Sequence, residues 1–168
     1  MKKIIVIIVF FILIFSNQLF SQPISELDKI LQNQTDEKFD NLQIYINNII
    51  KEKDYIEQMN ILEKCIFQLL DLKEFQEAKK YAIIASNLAN QKQNFSDLSF
   101  FENTTGSINY YLGNFIEVEE NYKKALDACY KTQDNFKISK ALNNLNTIYT
   151  KLGKTDLAIK GFLESIKI

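Results

Sequence analysis

A spacing of forty residues runs through this chain of 168 residues and limits what it can fold into. Leu72-Lys73-Glu74-Phe75 returns as Leu112-Gly113-Asn114-Phe115 and again as Leu152-Gly153-Lys154-Thr155, each 40 residues on. Asp54, Asn94 and Asp134 keep the same register. Self-similarity at a period of about 20–50 residues marks stacked repeats, in which no unit buries its apolar face alone and each neighbour supplies the missing side. Arrays of this kind normally bind other proteins rather than perform chemistry.

Each unit reads as a helical hairpin. In the third, the proline-free stretch Asp97–Leu112 carries Leu98, Phe101, Ile108, Tyr111 and Leu112, and Phe115–Tyr130 carries Phe115, Val118, Tyr122, Ala125, Leu126 and Cys129. Apolar residues recurring near a 3.6-residue period mark amphipathic helices. Gly113 suits the left-handed residue that ends the first helix. Asn114 is expected to cap the second, with Glu117 three residues later as in a capping box. A link this short makes the two helices antiparallel.

The layout recurs in Tyr55–Leu72 with Phe75–Gln91, and in Phe136–Leu152 with Asp156–Ile168. Lys73 stands where the other units have glycine; a left-handed lysine costs about 1 kcal/mol. Asp36–Lys53 is expected to be the second helix of a degenerate first unit, with a short helix at Ile24–Gln32 before it. The expected organisation is a helical repeat domain over residues 36–168, its last repeat either complete or cut short, behind an N-terminal linker with a short helix over 22–35.

These motifs resemble tetratricopeptide repeats. The third unit matches that pattern with Gly106, Gly113, Phe115, Tyr122 and Ala125. The fourth matches with Leu142, Leu145, Tyr149, Gly153, Ala158 and Phe162, and the second more weakly with Leu62, Phe75, Ala78, Ala82 and Ala85. The chain departs from the family in its period of 40 rather than about 34, in lacking a proline after the second helix, and in lacking tryptophan. The extra residues fall near Lys92–Ser96 and Thr132–Phe136, where longer second helices or longer links would hold them. The resemblance implies an all-α solenoid of antiparallel helix pairs whose first helices line a peptide groove. The groove positions fall on Asn60, Glu63, Phe67 and Leu70, on Phe100, Asn103, Ser107 and Tyr110, and on Lys140, Asn143, Thr147 and Thr150. Asn103, Ser107, Tyr110, Lys140, Asn143 and Thr147 are the candidate peptide contacts, since amides and hydroxyls suit an extended backbone and Tyr110 adds an aromatic platform with a polar tip. The lysine and asparagine clamp by which some members grip a C-terminal carboxylate is not reproduced, because Asn60 and Glu63 stand at its first-helix positions.

The first 21 residues have the layout of a secretory signal peptide. Lys2 and Lys3 precede the unbroken apolar run Ile4–Phe15, and a polar stretch ends on the small Ser21. Twelve helical residues span about 18 Å against a hydrocarbon core of about 30 Å. Cleavage after Ser21 is expected, leaving Gln22 first; an uncleaved anchor is the competing reading. No cysteine follows the apolar run, which excludes a bacterial lipoprotein. The ending Phe20-Ser21-Gln22 resembles signal peptides of Bacteroidota.

Composition removes several function classes. There is no arginine, and removal of the leader leaves 18 lysines against 21 acids, without the basic stripe of a nucleic-acid binder. Histidine is absent, which removes the usual catalytic triads and zinc ligand sets. The only glycines, Gly106, Gly113, Gly153 and Gly161, form no phosphate loop. No cofactor or metal is implied. Cys65 and Cys129 lie in apolar stripes and read as buried free thiols, although an exported protein could form a disulfide.

The expected function is an extracytoplasmic module binding a protein or peptide, exported to the periplasm or beyond. The chain resembles the exported N-terminal regions of Bacteroidota regulators, which places it as the sensor or scaffold part of a longer protein. A freestanding secreted or periplasmic scaffold is the alternative, and an enzyme the reading from another class. Contact with a membrane requires an uncleaved leader or a further helix beyond Ile168. The last helix offers Leu157, Phe162, Leu163, Ile166 and Ile168, more than one face can bury, so further repeats or self-association through this end is expected.

Overall fold

The computed structural model describes residues 26–168, and no strand occurs among them. The leader, its cleavage site and the start of the linker lie outside the described residues. A short helix, α1, occupies residues 26–32. It is followed by α2 (Lys38–Glu52), α3 (Tyr55–Asp71), α4 (Phe75–Gln91), α5 (Phe95–Tyr111), α6 (Phe115–Thr132), α7 (Asn135–Lys151) and α8 (Thr155–Lys167). The described residues divide into two compact units, one ending at Ile61 and the other spanning Leu62–Ile168, with the boundary inside α3.

From α3 onward a helix begins every 20 residues, at Tyr55, Phe75, Phe95, Phe115, Asn135 and Thr155. Left-handed residues recur at the same step: Lys73, Gln93, Gly113, Gln133 and Gly153. At four of these turns the amide of the left-handed residue donates three residues back and the next amide donates five back, as in Glu74 N–H to the Leu69 carbonyl at 2.8 Å and Asn114 N–H to Asn109 at 2.9 Å. That is the Schellman arrangement, which satisfies carbonyls a helix end otherwise leaves open. The step is therefore one helix plus one turn, and the 40-residue repeat arises because alternate turns differ in chemistry.

The difference lies in the caps. Turns between hairpins carry them: Asn94 Oδ1 accepts from Asp97 N–H at 3.1 Å, and Asp134 Oδ1 from Lys137 N–H at 3.1 Å. Asp54 does the same for Glu57 N–H at 3.0 Å. This is the physical content of the Asp54, Asn94, Asp134 register. Turns within hairpins carry none, and here Asn114 departs from expectation. Its side chain caps nothing; its Nδ2 turns back to Asn109 Oδ1 at 3.4 Å. Asn109 is almost wholly buried and needs that donor. The residues beyond a 34-residue period are accommodated by length: α4 has 17 residues and α6 has 18, while the links stay at two or three.

In the first unit Leu27, Leu31, Leu42, Tyr45, Ile46 and Ile49 form the apolar interior. Gln58 Nε2 donates to the Ile50 and Lys53 carbonyls at 2.9 and 2.7 Å and ties the end of α2 to the start of α3. In the second unit α4 through α8 each pack on the next in sequence. The buried face of α4 combines four alanines (Ala78, Ala82, Ala85, Ala89) with Tyr81, which is wholly buried, and Ser86. Val118, Leu126 and Cys129 of α6 meet Ile138, Ala141, Leu142, Leu145 and Ile148 of α7 in a continuous core that takes in Ala158 of α8.

A polar chain crosses this interior. Ser86 Oγ donates to Glu102 Oε1 at 2.5 Å, Asn121 Nδ2 to Glu102 Oε2 at 2.8 Å, and Asn109 Nδ2 to Asn121 Oδ1 at 2.9 Å. It fastens α4, α5 and α6 to one another with directional bonds. Cys65 and Cys129 are both free and buried. Burial, reinforced by the Glu77 charge, pushes the Cys65 thiol up to about 12, and burial raises Cys129 as well.

Candidate functional site

Three contacts join α5 to α7, all built alike. Lys137 Nζ donates to Ser96 Oγ at 2.7 Å, Asn144 Nδ2 to Asn103 Oδ1 at 2.6 Å, and Lys151 Nζ to Tyr110 OH at 3.2 Å. Each pair is 41 residues apart, and successive rungs are seven residues, or two helical turns, apart. The donors are all on α7 and the acceptors all on α5. First helices of adjacent hairpins are thus held side by side by a polar seam.

Beside the upper rungs lies an open pocket of about 290 Å³. It is lined by Ser107, Tyr110 and Tyr111 of α5, Tyr122 of α6, and Asn144, Thr147 and Ile148 of α7. Tyr122 reaches it through a gap left by Gly106. A Cβ there would stand 2.6 Å from the ring of Tyr122. With glycine in place the ring crosses α5, and its hydroxyl comes within 3.4 Å of Ser107 Oγ.

Tyr110 is held in position. The Lys151 ammonium lies 4.8 Å from its ring centroid and 4.6 Å from that of Phe115. Tyr110 meets Phe115 edge-on at 5.5 Å, while Tyr111 stacks on Phe75 at 5.5 Å. Each such contact contributes about 0.5–1.5 kcal/mol, so the aromatic wall is held in place by the chain's own contacts.

Of the six expected contact residues, Ser107, Tyr110 and Thr147 line this pocket. The Asn103 carboxamide oxygen is engaged by Asn144 in the seam. Lys140 and Asn143 are exposed on α7 away from the pocket lining. Tyr111, Tyr122, Asn144 and Ile148 were not anticipated. The heptad spacing shared by Asn103 with Tyr110 and by Asn144 with Lys151 is the signal that could have placed Asn144.

The pocket contains amide, hydroxyl and aromatic groups, with one cation at its rim. Among the described residues no cluster of three or more Cys, Asp or Glu could hold a metal ion. The ionisable group with the most deliberate partners lies elsewhere. Burial would raise the Glu119 carboxyl, but hydrogen bonds from Lys123 at 2.6 Å and Lys154 at 2.5 Å outweigh it and hold the group below its ordinary value. Those bonds clamp the α7–α8 turn to α6.

No protein-family model matches the chain, and no curated protein does. Among solved structures it is similar to BtubC (BKLC) from P. vanneervenii, with a TM-score of 0.64 and 14% sequence identity over 79% of this chain and 55% of that one. The chain therefore spans about half the length of that structure, and the likeness is one of fold. The fold defines the class: an all-α array of helical-repeat hairpins.

Proposed function

We propose that this chain is an extracytoplasmic module of tetratricopeptide type, the sensor or scaffold part of a longer protein, and that it binds an extended peptide or protein segment across α5 and α7. The pocket carries this reading. Its tyrosines are fixed in advance, so a bound side chain gains aromatic contact at little ordering cost. The Tyr110 hydroxyl hydrogen and the Asn144 carboxamide oxygen remain for a peptide backbone. Export rests on the Lys2-Lys3 start and the apolar run to Phe15.

Panning a displayed peptide library against the purified protein, followed by calorimetric titration of the selected peptides, tests the groove. Tyr110→Ala is expected to weaken binding by about thirtyfold, the effect of losing an aromatic anchor of about 2 kcal/mol. Unchanged affinity for both Tyr110→Ala and Thr147→Arg, with unchanged melting, would move the ligand elsewhere. N-terminal sequencing that finds Gln22 supports export with cleavage; an intact Met1 in the membrane fraction favours the anchor.

A further inference from the structure

The 40-residue register sets α8 against α6 position by position: Ile159 with Glu119, Phe162 with Tyr122, and Ile166 with Leu126. On α6 this face lies under α7. Leu126 is 9% exposed within the shared core, and Tyr122 packs against it. On α8 the same face is uncovered among the described residues. Ile166 is 80% exposed, Leu163 56%, Ile159 53% and Phe162 39%. Residues three and four apart on a helix form one stripe. An apolar stripe of this kind on a surface marks an interaction site.

The charges of α8 indicate what covers it. Asp156, Lys160, Glu164 and Lys167 run along one flank of the stripe. We propose that α8 pairs antiparallel with α8 of a second copy of this chain, about a centre between Phe162 and Leu163. In that register Ile159 lies opposite Ile166 of the second copy. Lys160 falls within one residue of Glu164 of the second copy, and Asp156 within two residues of Lys167. Apolar residues fill the middle, and opposite charges meet along the rim, as at the flanking positions of paired helices. A parallel pairing would turn the two charged flanks to opposite sides of the seam, where they do not meet. Glu164 Oε1 already accepts from the Tyr130 hydroxyl, which fixes the carboxylate and leaves Oε2 to face Lys160. The pairing is isologous, so one surface serves both partners. It does not depend on the peptide groove, and it gives an assembly with two grooves.

The test is light scattering on the full chain, purified in the form the cell accumulates, across a concentration series. The expected mass rises with concentration from that of one chain towards twice that value. Ile166→Glu should restore the single-chain mass, raising the dissociation constant tenfold or more, with an unchanged far-UV spectrum because the residue touches little in its own chain. Lys160→Glu should weaken the pair, and adding Glu164→Lys should restore it. A single-chain mass at every concentration overturns the proposal and leaves the face to a further helix of the same register. Association that persists in Ile166→Glu places the contact elsewhere. A charge exchange that fails to restore association rejects the antiparallel register.

Discussion

The contact between Asn146 and Gly161 offers the most direct quantitative test of how α8 is seated. Asn146 is 1% exposed, and neither end of its carboxamide meets a hydrogen-bond partner among the described residues. A Cβ on Gly161 would stand 2.6 Å from its Cγ and 2.7 Å from its Nδ2, with Oδ1 nearer still. Gly161→Ala therefore drives a methyl group into the buried amide of Asn146. Overpacking a core costs about 1–3 kcal/mol, and this geometry belongs in the upper half of that range. Asn146→Ala removes the obstruction. It also removes two orphaned polar atoms, a relief of about 1–3 kcal/mol that offsets the cavity left behind, so the single variant should lie within about 1 kcal/mol of the parent. In that background the alanine at 161 enters vacated space, and most of its penalty should vanish. Urea denaturation followed by far-UV circular dichroism gives the four stabilities. The expected coupling is about 2 kcal/mol, against about 0.5 kcal/mol for sites that do not touch. Additive penalties would refute the contact. Gly106→Ala is the control: its obstacle is the Tyr122 ring, so Asn146→Ala should not rescue it.

Gly113 and Gly153 have φ of 78° and 71° with nothing within 4 Å of a notional Cβ, so Gly113→Val and Gly153→Val should each cost about 2 kcal/mol through the backbone alone, and Lys73→Val less; equal melting shifts for all three would contradict the turn geometry. Cys65 and Cys129 should resist a thiol reagent at pH 8 in the folded protein and react at once in denaturant, since burial raises both; rapid labelling of the native state would refute this. The folded pKa of Glu119 lies below its ordinary 4.5, so its ion pairs stabilise at neutral pH and that contribution is lost as pH falls through the lowered value. Thermal melts between about pH 3 and 7 should show this acid limb in the parent and its loss in Glu119→Gln, which melts lower at neutral pH.

Helix existence, order and pairing were legible in the sequence from Tyr55 onward, with boundaries falling within about two residues, because apolar period and turn register agree there. The 20-residue step was not. Glycine announces a left-handed turn at Gly113 and Gly153, whereas Gln93 and Gln133 adopt the same backbone without any compositional signal. Ser107, Tyr110 and Thr147 were legible as pocket residues because they sit on the exposed arc of first helices. Tyr122 was hidden because it belongs to a second helix and enters only through the missing side chain of Gly106. The seam was hidden by its offset, since rungs 41 residues apart fall one position outside the repeat that the eye follows.

The same small-for-large exchange, with its two members reversed, recurs in the next hairpin. Gly106 on α5 faces Asn121 and Tyr122 on α6; forty residues on, Asn146 on α7 faces Gly161 on α8. One hairpin places its missing side chain on the first helix, and an aromatic ring from the second passes through to the groove. The next places it on the second helix, and the first fills the gap with an amide, so Phe162, the counterpart of Tyr122, has no passage across α7. Phe162 is left 39% exposed, on the stripe that also carries Ile159 and Ile166. A pocket-facing ring in one repeat and an outward-facing ring in the next are therefore two outcomes of where a single glycine falls.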